Sequence, residues 1–191
     1  MQQQTGAFQT PDNLNIYTIQ WQPDKKAKGV VILIHGLSEH IGRYQHVAEA
    51  LVNAGYKVYG LDHRGHGKSD GKRVQVTAHT HFLNDLKTYF DTIRSENNGD
   101  KIFLLGHSMG SVIALQFALQ YQNSLAGLVV TGTATAIGSS VSPMLRTVAN
   151  GLHKIVPHAP IGAPLKVEML TNDTEMQKIW LADTLVHKGW T

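Results

Sequence analysis

The chain alternates between short apolar runs and longer segments in which apolar residues recur every three or four positions. The apolar runs are rich in Val, Ile, Leu, Phe and Tyr, and they cover residues 30–34, 56–62, 101–106 and 125–132. A strand with apolar side chains on both faces must be covered on both faces, as in the centre of a parallel sheet. Residues 15–21 alternate instead, which predicts a strand that is buried on one face.

The segments between these runs predict helices. Helical spacing of apolar residues covers residues 43–53, 82–93 and 109–121. Thr80 is placed to act as the N-cap of the second helix. Strands that alternate with helices are typical of a doubly wound α/β sheet, which is the fold class we expect.

The alternation ends after Gly132, and no further apolar strand is visible. Two stripes of apolar residues at helical spacing follow, Met144, Leu145, Val148, Leu152 and Ile155, and then Met176, Ile179 and Trp180. We interpret residues 1–136 as a core domain and residues 137–191 as a helical cap. Such stripes suit both packing against the core and the lining of an acyl-chain pocket.

Composition limits the classes of function. The 191 residues carry a formal net charge of +3 without a cluster of Lys or Arg, so nucleic acid is not an expected partner. The absence of cysteine excludes disulfides, thiolate catalysis and cysteine-based metal sites. No apolar run is long enough to cross a bilayer, and residues 1–10 contain no apolar signal segment. We therefore expect a cytoplasmic protein.

One short motif carries candidate chemistry. In FLLGHSMG, Ser108 stands between Gly106 and Gly110 where an apolar strand passes into a helix. In this context G-x-S-x-G predicts a nucleophilic serine at the apex of a tight turn, because glycines allow the neighbouring backbone to approach closely. The alternative is that both glycines serve only the packing of a strand–helix turn. The position of the motif between strand and helix favours Ser108 as the catalytic nucleophile.

A nucleophilic serine needs amide donors for the oxyanion that forms on its substrate. The Met109 N–H lies at the start of the following helix, and the Leu37 N–H lies in HGLSEH, directly after the first buried strand. We predict that these two backbone amides form the oxyanion hole. Glu39 and His40 are expected to order the same loop without a catalytic role.

Three motifs in register carry a family resemblance. HGLSEHIGRY, LDHRGHGKSDG and LLGHSMG, in this order and spacing, resemble the serine α/β-hydrolases, specifically the monoacylglycerol lipase and lysophospholipase group. The resemblance covers nearly the whole chain and implies an α/β-hydrolase fold, a lipid ester substrate, an acyl-enzyme and no cofactor. It also implies Ser108 as nucleophile and the backbones of Leu37 and Met109 as the oxyanion hole. Contact with a membrane surface, without insertion, is compatible with such a substrate.

The acid and the base of the catalytic triad are left unknown. In the family they follow two further strands downstream of the cap, and this chain has no matching positions, so we expect its last core strands to be missing. Asp173 or Asp183, followed by His187, has the permitted order but falls in the cap segment. His107 adjoins Ser108, and a neighbour on such a tight turn is expected to point elsewhere.

These residues are therefore expected to be the N-terminal part of a longer hydrolase. Without a neighbour, the apolar strand at residues 125–130 would expose unpaired backbone groups at the edge of the sheet, which favours association. The expected partner is a complementary C-terminal chain or a second copy of this chain. The alternative function is a catalytically incomplete module that binds lipid or such a partner.

Two further motifs each lack a residue that their chemistry requires. GKS at residues 67–69 would need glycine at position 62 to be a phosphate loop, and Asp62 stands there. HTHFLND at residues 79–85 would need aspartate at position 83 to match a metallo-hydrolase box, and Leu83 stands there. We therefore expect no metal site, and we interpret Arg64 as a brace for nearby backbone.

Overall fold

The computed structural model describes residues 1–75, 78–133 and 167–187, and these residues are organised around a mixed β-sheet. Its strands are β1 (Gln2–Gln9), β2 (Asn15–Gln22), β3 (Val30–Ile34), β4 (Lys57–Leu61), β5 (Ile102–His107) and β6 (Gly127–Thr131). Their order across the sheet is β1-β2-β4-β3-β5-β6. The last four in that order are parallel to one another, whereas β2 pairs antiparallel with both β4 and β1 at the opposite edge. The doubly wound α/β sheet is confirmed.

The strand β1 is an element that the sequence pattern does not predict. Its residues, QQQTGAFQ, are nearly all polar or small and almost all exposed. It pairs along its whole length with β2, and the half-buried Phe8 stacks on Tyr89 with ring centroids 5.5 Å apart. Backbone pairing therefore defines this edge strand, without the apolar alternation that makes other strands recognisable.

The described helices are α1 (Gln45–Asn53), α2 (Thr80–Glu96), α3 (Met109–Tyr121) and α4 (Thr174–Ala182). The predicted bounds of α3 are confirmed, but the helix expected from residue 43 begins as a 3-10 turn over Ile41–Tyr44. The N-cap prediction for Thr80 is wrong, because Thr80 is already helical and His79 precedes it without a capping side chain. No helix in the described ranges is long and apolar enough to cross a membrane.

The second apolar stripe of the predicted cap lies in α4, where Trp180 is buried while Met176 and Ile179 are exposed. The first stripe, at residues 144–155, lies outside the described residues.

The core lies on both faces of the sheet, as the apolar strands require. Along β3, Ile32 and Ile34 pack with α2 and α3 on one face, whereas Val31 and Leu33 pack with α1 on the other. All four side chains are at most 5% exposed. β3 is thus held between two layers of helix, and it pairs in parallel with β5. The carboxyl ends of β3 and β5 therefore deliver their following loops to the same edge of the sheet.

Candidate active site

The candidate nucleophile Ser108 lies at the break between β5 and α3. Its backbone has φ 51° and ψ −118°, a conformation that residues other than glycine rarely adopt and that costs about 1–3 kcal/mol. The Ser108 N–H donates to the Thr131 carbonyl at 2.9 Å, and the Ser111 hydroxyl donates to the Ser108 carbonyl at 2.6 Å. Both neighbours hold the strained turn in place.

The flanking glycines are required by close backbone contacts. A Cβ added at Gly106 would lie 2.5 Å from the Gly110 carbonyl oxygen, and one added at Gly110 would lie 2.1 Å from the Ile34 carbonyl oxygen. No real Cβ tolerates such distances, so α3 packs against the ends of β3 and β5 only if both residues are glycine. Close packing explains why both flanking residues are glycine. It does not explain the strained backbone of Ser108, which a turn that serves only packing does not require.

The loop of residues 35–40, which we call the oxyanion loop, packs against the turn. A Cβ added at Gly36 would lie 3.2 Å from the Ser108 Cβ. Glu39 Oε1 accepts hydrogen bonds from the Gly36 N–H and from the Tyr44 hydroxyl, both at 2.6 Å. The expectation that Glu39 orders this loop is therefore confirmed.

The two amides of the predicted oxyanion hole are unpaired within the described residues. In the part of the chain that the structure describes, neither the Leu37 N–H nor the Met109 N–H has a hydrogen-bond partner. Both belong to segments that border Ser108. That these amides bind an oxyanion stays a prediction.

A cavity of about 230 Å³ opens beside the candidate nucleophile. It is lined by residues of the oxyanion loop, of the turn between β5 and α3, and of the segment around α4, namely Gly36, Leu37, Ser38, Glu39, His107, Ser108, Leu170 and Trp180. A second cavity of about 620 Å³ shares Glu39 and His107 with it and extends towards α1 and α4. The combined space lies within the usual size range of small-molecule sites, about 300–1,000 Å³.

The residues considered as an internal acid and base are engaged elsewhere. Asp173 caps α4 by accepting from two of its backbone amides, and Asp183 bonds to His40. The His107 ring contacts the Thr131 hydroxyl at 2.9 Å. His187 lines a separate cavity with Ser38 and His66. Among the described residues, no hydrogen bond joins the Ser108 hydroxyl to an imidazole or a carboxylate, so the base and acid are still unassigned.

The carboxylate of Asp62, which the sequence pattern marks only as a mismatch to a phosphate loop, connects the loop after β4 to the residue that directly follows the oxyanion loop. Asp62 Oδ1 accepts from the Ile41 N–H at 2.7 Å, and Asp62 Oδ2 accepts from the Lys68 N–H at 2.8 Å. Burial raises the pKa of Asp62, and these two amide hydrogen bonds act in the opposite direction. The signal available in the sequence was an acidic residue at the end of an otherwise apolar strand.

Arg64 has a different role from the one predicted. Its guanidinium makes two hydrogen bonds of 2.7 Å to the carboxylate of Asp85, which is 1% exposed, and two of 2.8 and 3.1 Å to that of Asp12. Arg64 therefore pairs with side-chain carboxylates on α2 and in the β1–β2 turn, and the prediction that it braces backbone is wrong. The bidentate geometry fixes the loop after β4 to α2.

Three buried histidines cluster where the oxyanion loop, which begins at His35, meets the loop after β4. The rings of His35 and His63 are 4.4 Å apart, and the ring of His66 is 5.4 Å from that of His35. The backbone N–H of His63 donates to His35 Nε2, which keeps that ring nitrogen unprotonated. Burial, followed by repulsion from His66, lowers the pKa of His63 to about 3. Burial and the two neighbouring histidines likewise hold the pKa of His35 well below its usual value.

We expect the free energy of unfolding to fall on acidification from pH 7 to pH 5. An unfolded histidine binds a proton below about pH 6.5, whereas folded His63 does so only near pH 3. The unfolded chain therefore binds more protons in this window, so the stability is complete above it and is lost as the pH falls. His63 alone should contribute about 2 kcal/mol of loss at pH 5. Urea unfolding at both pH values measures it.

The matched variants are His63→Phe, which retains a flat ring, and His46→Gln at an exposed position. Neither ring nitrogen of His63 has a hydrogen-bond partner among the described residues, so phenylalanine removes the titration of this ring without breaking a described side-chain hydrogen bond. His63→Phe should lose less stability between pH 7 and pH 5 than the parent, and His46→Gln should match the parent. Equal losses in His63→Phe and the parent would contradict the prediction.

Comparison with known proteins agrees with the geometry. The family model described as "Hydrolase_4: Serine aminopeptidase, S33" matches residues 25–191. Monoacylglycerol lipase of Mycolicibacterium smegmatis is 38% identical over 169 residues, which are 88% of this chain and 60% of that protein. Human monoglyceride lipase is 30% identical over 176 residues, 92% of this chain and 58% of that protein.

Solved structures agree on the fold. The crystal structure of Paleococcus ferrophilus monoacylglycerol lipase is 29% identical, with a TM-score of 0.73, and the match covers 100% of this chain and 66% of that one. A soluble variant of monoglyceride lipase from Saccharomyces cerevisiae, 24% identical, has a TM-score of 0.85 over 99% of this chain and 64% of its own. The fold is therefore that of the α/β-hydrolases. The chain spans about 60% of the length of the curated relatives named above.

Proposed function

Because this chain belongs to the serine aminopeptidase S33 family of α/β-hydrolases, we propose that it is the N-terminal part of a serine hydrolase that cleaves carboxylic esters of lipids. The substrate class is the monoacylglycerol or lysophospholipid type, which is supported by relatives named monoacylglycerol lipase, monoglyceride lipase and phospholipase. The observation that carries the proposal is the strained Ser108, which borders a cavity beside the oxyanion loop.

In the proposed reaction, the Ser108 hydroxyl oxygen attacks the acyl carbonyl of the lipid. The Leu37 and Met109 amides donate to the oxyanion of the tetrahedral intermediate, and α3 adds the positive end of its dipole. Collapse breaks the ester bond, leaves the acyl group on Ser108 and transfers the serine proton to the departing alcohol. Water then hydrolyses the acyl-enzyme by the same route. No cofactor takes part in this route.

A histidine oriented by an acid would move the protons, and we assign both to a C-terminal complement of this chain. Support comes from the free edge of the sheet, where Val129 and Val130 on β6 are 49% and 37% exposed. β6 pairs with β5 on one side, and no described strand pairs with its other side. An apolar parallel strand at an open edge favours the addition of another strand. Such a complement would be covalently continuous with this chain or a separate chain, and a second copy of this chain is the alternative partner for the open edge.

The substrate assignment draws on the lining of the two cavities. Leu37, Leu170 and Trp180 present apolar surface beside Ser108, which suits an acyl chain. We place the core at residues 1–136 and the cap at residues 137–191, with α4 as the described part of the cap; the boundary itself lies outside the described residues. Contact with a membrane surface and a cytoplasmic location stay predictions from the sequence.

Covalent labelling with a fluorophosphonate tests the proposed function. The 191-residue chain and the complete product of its reading frame are incubated with the reagent, and labelling at Ser108 is located by peptide mass spectrometry. Hydrolysis of a monoacylglycerol and of nitrophenyl esters of varied chain length is measured in parallel. We expect labelling of Ser108 that disappears when the protein is unfolded, together with release of fatty acid from the monoacylglycerol.

The second candidate function is an incomplete module that binds lipid or its complement, which the open β6 edge also favours. Fatty-acid binding by both proteins without any labelling of Ser108 would support that module and contradict the hydrolase. Labelling and hydrolysis in the complete product alone would support the hydrolase and locate the missing base in the C-terminal part.

A further inference from the structure

The segment that follows α4 contacts the oxyanion loop at two points. Residues 183–187, which we call the α4 tail, place Asp183 Oδ2 2.9 Å from His40 Nε2. At the other end of the tail, the His187 N–H donates to the Ser38 carbonyl at 3.0 Å. Asp183 and His40 are 143 positions apart in the sequence. The part of the chain assigned to the cap therefore holds the loop that carries the Leu37 amide.

A chain of alternating charges continues from Asp183 into the loop. The Arg43 guanidinium lies 3.6 Å from Asp183 and 3.8 Å from Glu39, whose carboxylate accepts the Gly36 N–H at 2.6 Å. The Arg43, Glu39 and Asp183 side chains are about one-fifth exposed, so solvent screens these contacts only in part. Asp183 is thereby connected to the amide of Gly36, the residue directly before Leu37.

The protonation of Asp183 agrees with this connection. Burial alone would raise the pKa of Asp183, but the hydrogen bond with His40, the Leu185 N–H and the charge of Arg43 outweigh it and lower that pKa. Asp183 is therefore a carboxylate at neutral pH. One oxygen, Oδ1, accepts the Leu185 N–H within the tail, and the other faces His40 and Arg43.

The oxyanion loop needs restraint from outside because it contains local strain. Ser38 has φ 64°, in the left-handed region that is unfavourable for a residue with a side chain. Such a conformation persists when the surroundings over-determine it. The contacts of the Ser38 carbonyl with the tail and of Glu39 with Gly36 lie on either side of the Leu37 peptide plane and restrain its orientation.

We propose that Asp183 is a positioning residue for the hydrolysis, acting through His40 and Arg43 to hold the Leu37 amide in the orientation that an oxyanion hole requires. The role of the Leu37 amide in this inference rests on the proposed function. The restraint of the oxyanion loop by Asp183 does not depend on it. It makes the docking of the α4 tail a condition for full oxyanion stabilisation. Asp183 touches no substrate atom in this scheme.

Hydrogen–deuterium exchange of the 191-residue chain tests the structural part. Asp183→Asn retains an acceptor for the Leu185 N–H but removes the charge that faces His40 and Arg43. We expect peptides covering residues 35–44 to exchange about fivefold faster, while peptides covering β5 are unchanged. The matched control is Glu175→Gln, an exposed carboxylate on α4 that pairs with Lys178 and should leave residues 35–44 unchanged.

Arg43→Gln and the double variant distinguish a shared path from two separate effects. If Asp183 acts through Arg43, residues 35–44 of the Asp183→Asn/Arg43→Gln double variant should exchange no faster than in the faster single variant. The reason is that either single substitution already removes the same restraint. Unchanged exchange of residues 35–44 in Asp183→Asn, with or without loosening of α4, would overturn the proposal. Should Asp183→Asn loosen every peptide, Arg43→Gln decides alone, and unchanged exchange of residues 35–44 in that variant overturns the proposal.

The kinetics of fluorophosphonate labelling separate this proposal from the proposed function. In the protein form that reacts, Asp183→Asn should lower the maximal rate of Ser108 labelling about fivefold and leave the half-saturating reagent concentration unchanged. A merely structural contact would change neither or would weaken reagent binding. Absence of labelling in the parent contradicts the proposed function while the exchange result still decides the role of Asp183 in the loop.

Discussion

Replacement of Ser108 by alanine is expected to abolish covalent labelling by a fluorophosphonate and to reduce ester hydrolysis about 10⁴-fold or more in the protein form that is active. The physical reason is that alanine removes the oxygen that forms the acyl-enzyme, and the oxyanion hole alone retains only the residual catalysis. Labelling is measured by intact mass, and hydrolysis by release of fatty acid from a monoacylglycerol.

The same substitution should leave the fold intact, because an alanine Cβ replaces a serine Cβ at the same strained position. Ser95→Ala, at an exposed serine on α2, is the matched control and should retain full labelling. Ser108→Ala protein that still labels at the parent rate, or that still hydrolyses the lipid at a comparable rate, would remove Ser108 from the mechanism. Circular dichroism of both variants confirms that the comparison is between folded proteins.

Replacement of Arg64 by leucine is expected to lower the free energy of unfolding by about 3–5 kcal/mol at neutral pH. The substitution leaves the carboxylate of Asp85, which is 1% exposed, without its bidentate partner. A buried charge without a partner is costly, and leucine cannot replace the two hydrogen bonds. The shift of the urea midpoint measures the loss. Arg94→Leu, at an exposed arginine on α2, should change the stability little.

The pH dependence of this loss identifies its cause. Burial already raises the pKa of Asp85 against the hydrogen bond from Arg64, and removal of Arg64 should raise that pKa further. A carboxyl with a raised folded-state pKa contributes stability at low pH that is lost as the pH rises. The free energy of unfolding of Arg64→Leu should therefore fall further below that of the parent at pH 8 than at pH 5. The contributions of the buried histidines cancel in this comparison because both proteins contain them.

A double variant, Arg64→Leu with Asp85→Leu, should recover most of the lost stability, since two apolar residues leave no buried charge. A double variant that is less stable than Arg64→Leu would show that the pair stabilises the loop after β4 in some way other than charge compensation.

Much of the fold was predictable because its signals lie in consecutive residues. The unbroken apolar run at β3 indicates a strand covered on both faces, and the helical spacing over residues 109–121 predicts α3 with its observed bounds. β1 could not be predicted, because backbone pairing with β2 makes it a strand and its side chains show no alternation of apolar and polar residues. The 3-10 start of α1 and the first turn of α2 differ from prediction because propensity determines helix ends only weakly.

The candidate site divides in the same way. The motif around Ser108 could be interpreted from sequence, because its serine and both glycines lie within five consecutive residues and Gly106 contacts Gly110 within them. The base and acid could not be assigned, and the described residues do not supply them. The pairing of Arg64 with Asp85 was misread as a backbone contact, since a buried arginine and its carboxylate carry no mutual signal in the sequence.

By itself, the order of residues determined the alternation of strands and helices, the place of the sharp turn and the identity of the serine at its apex. These features depend on interactions between near neighbours, so the local pattern contains their cause. Tertiary structure alone decided that Asp183 meets His40, that Arg64 meets Asp85 and that His35, His63 and His66 are buried together. Such contacts depend on where the folded sheet brings distant segments, and no local pattern encodes that distance.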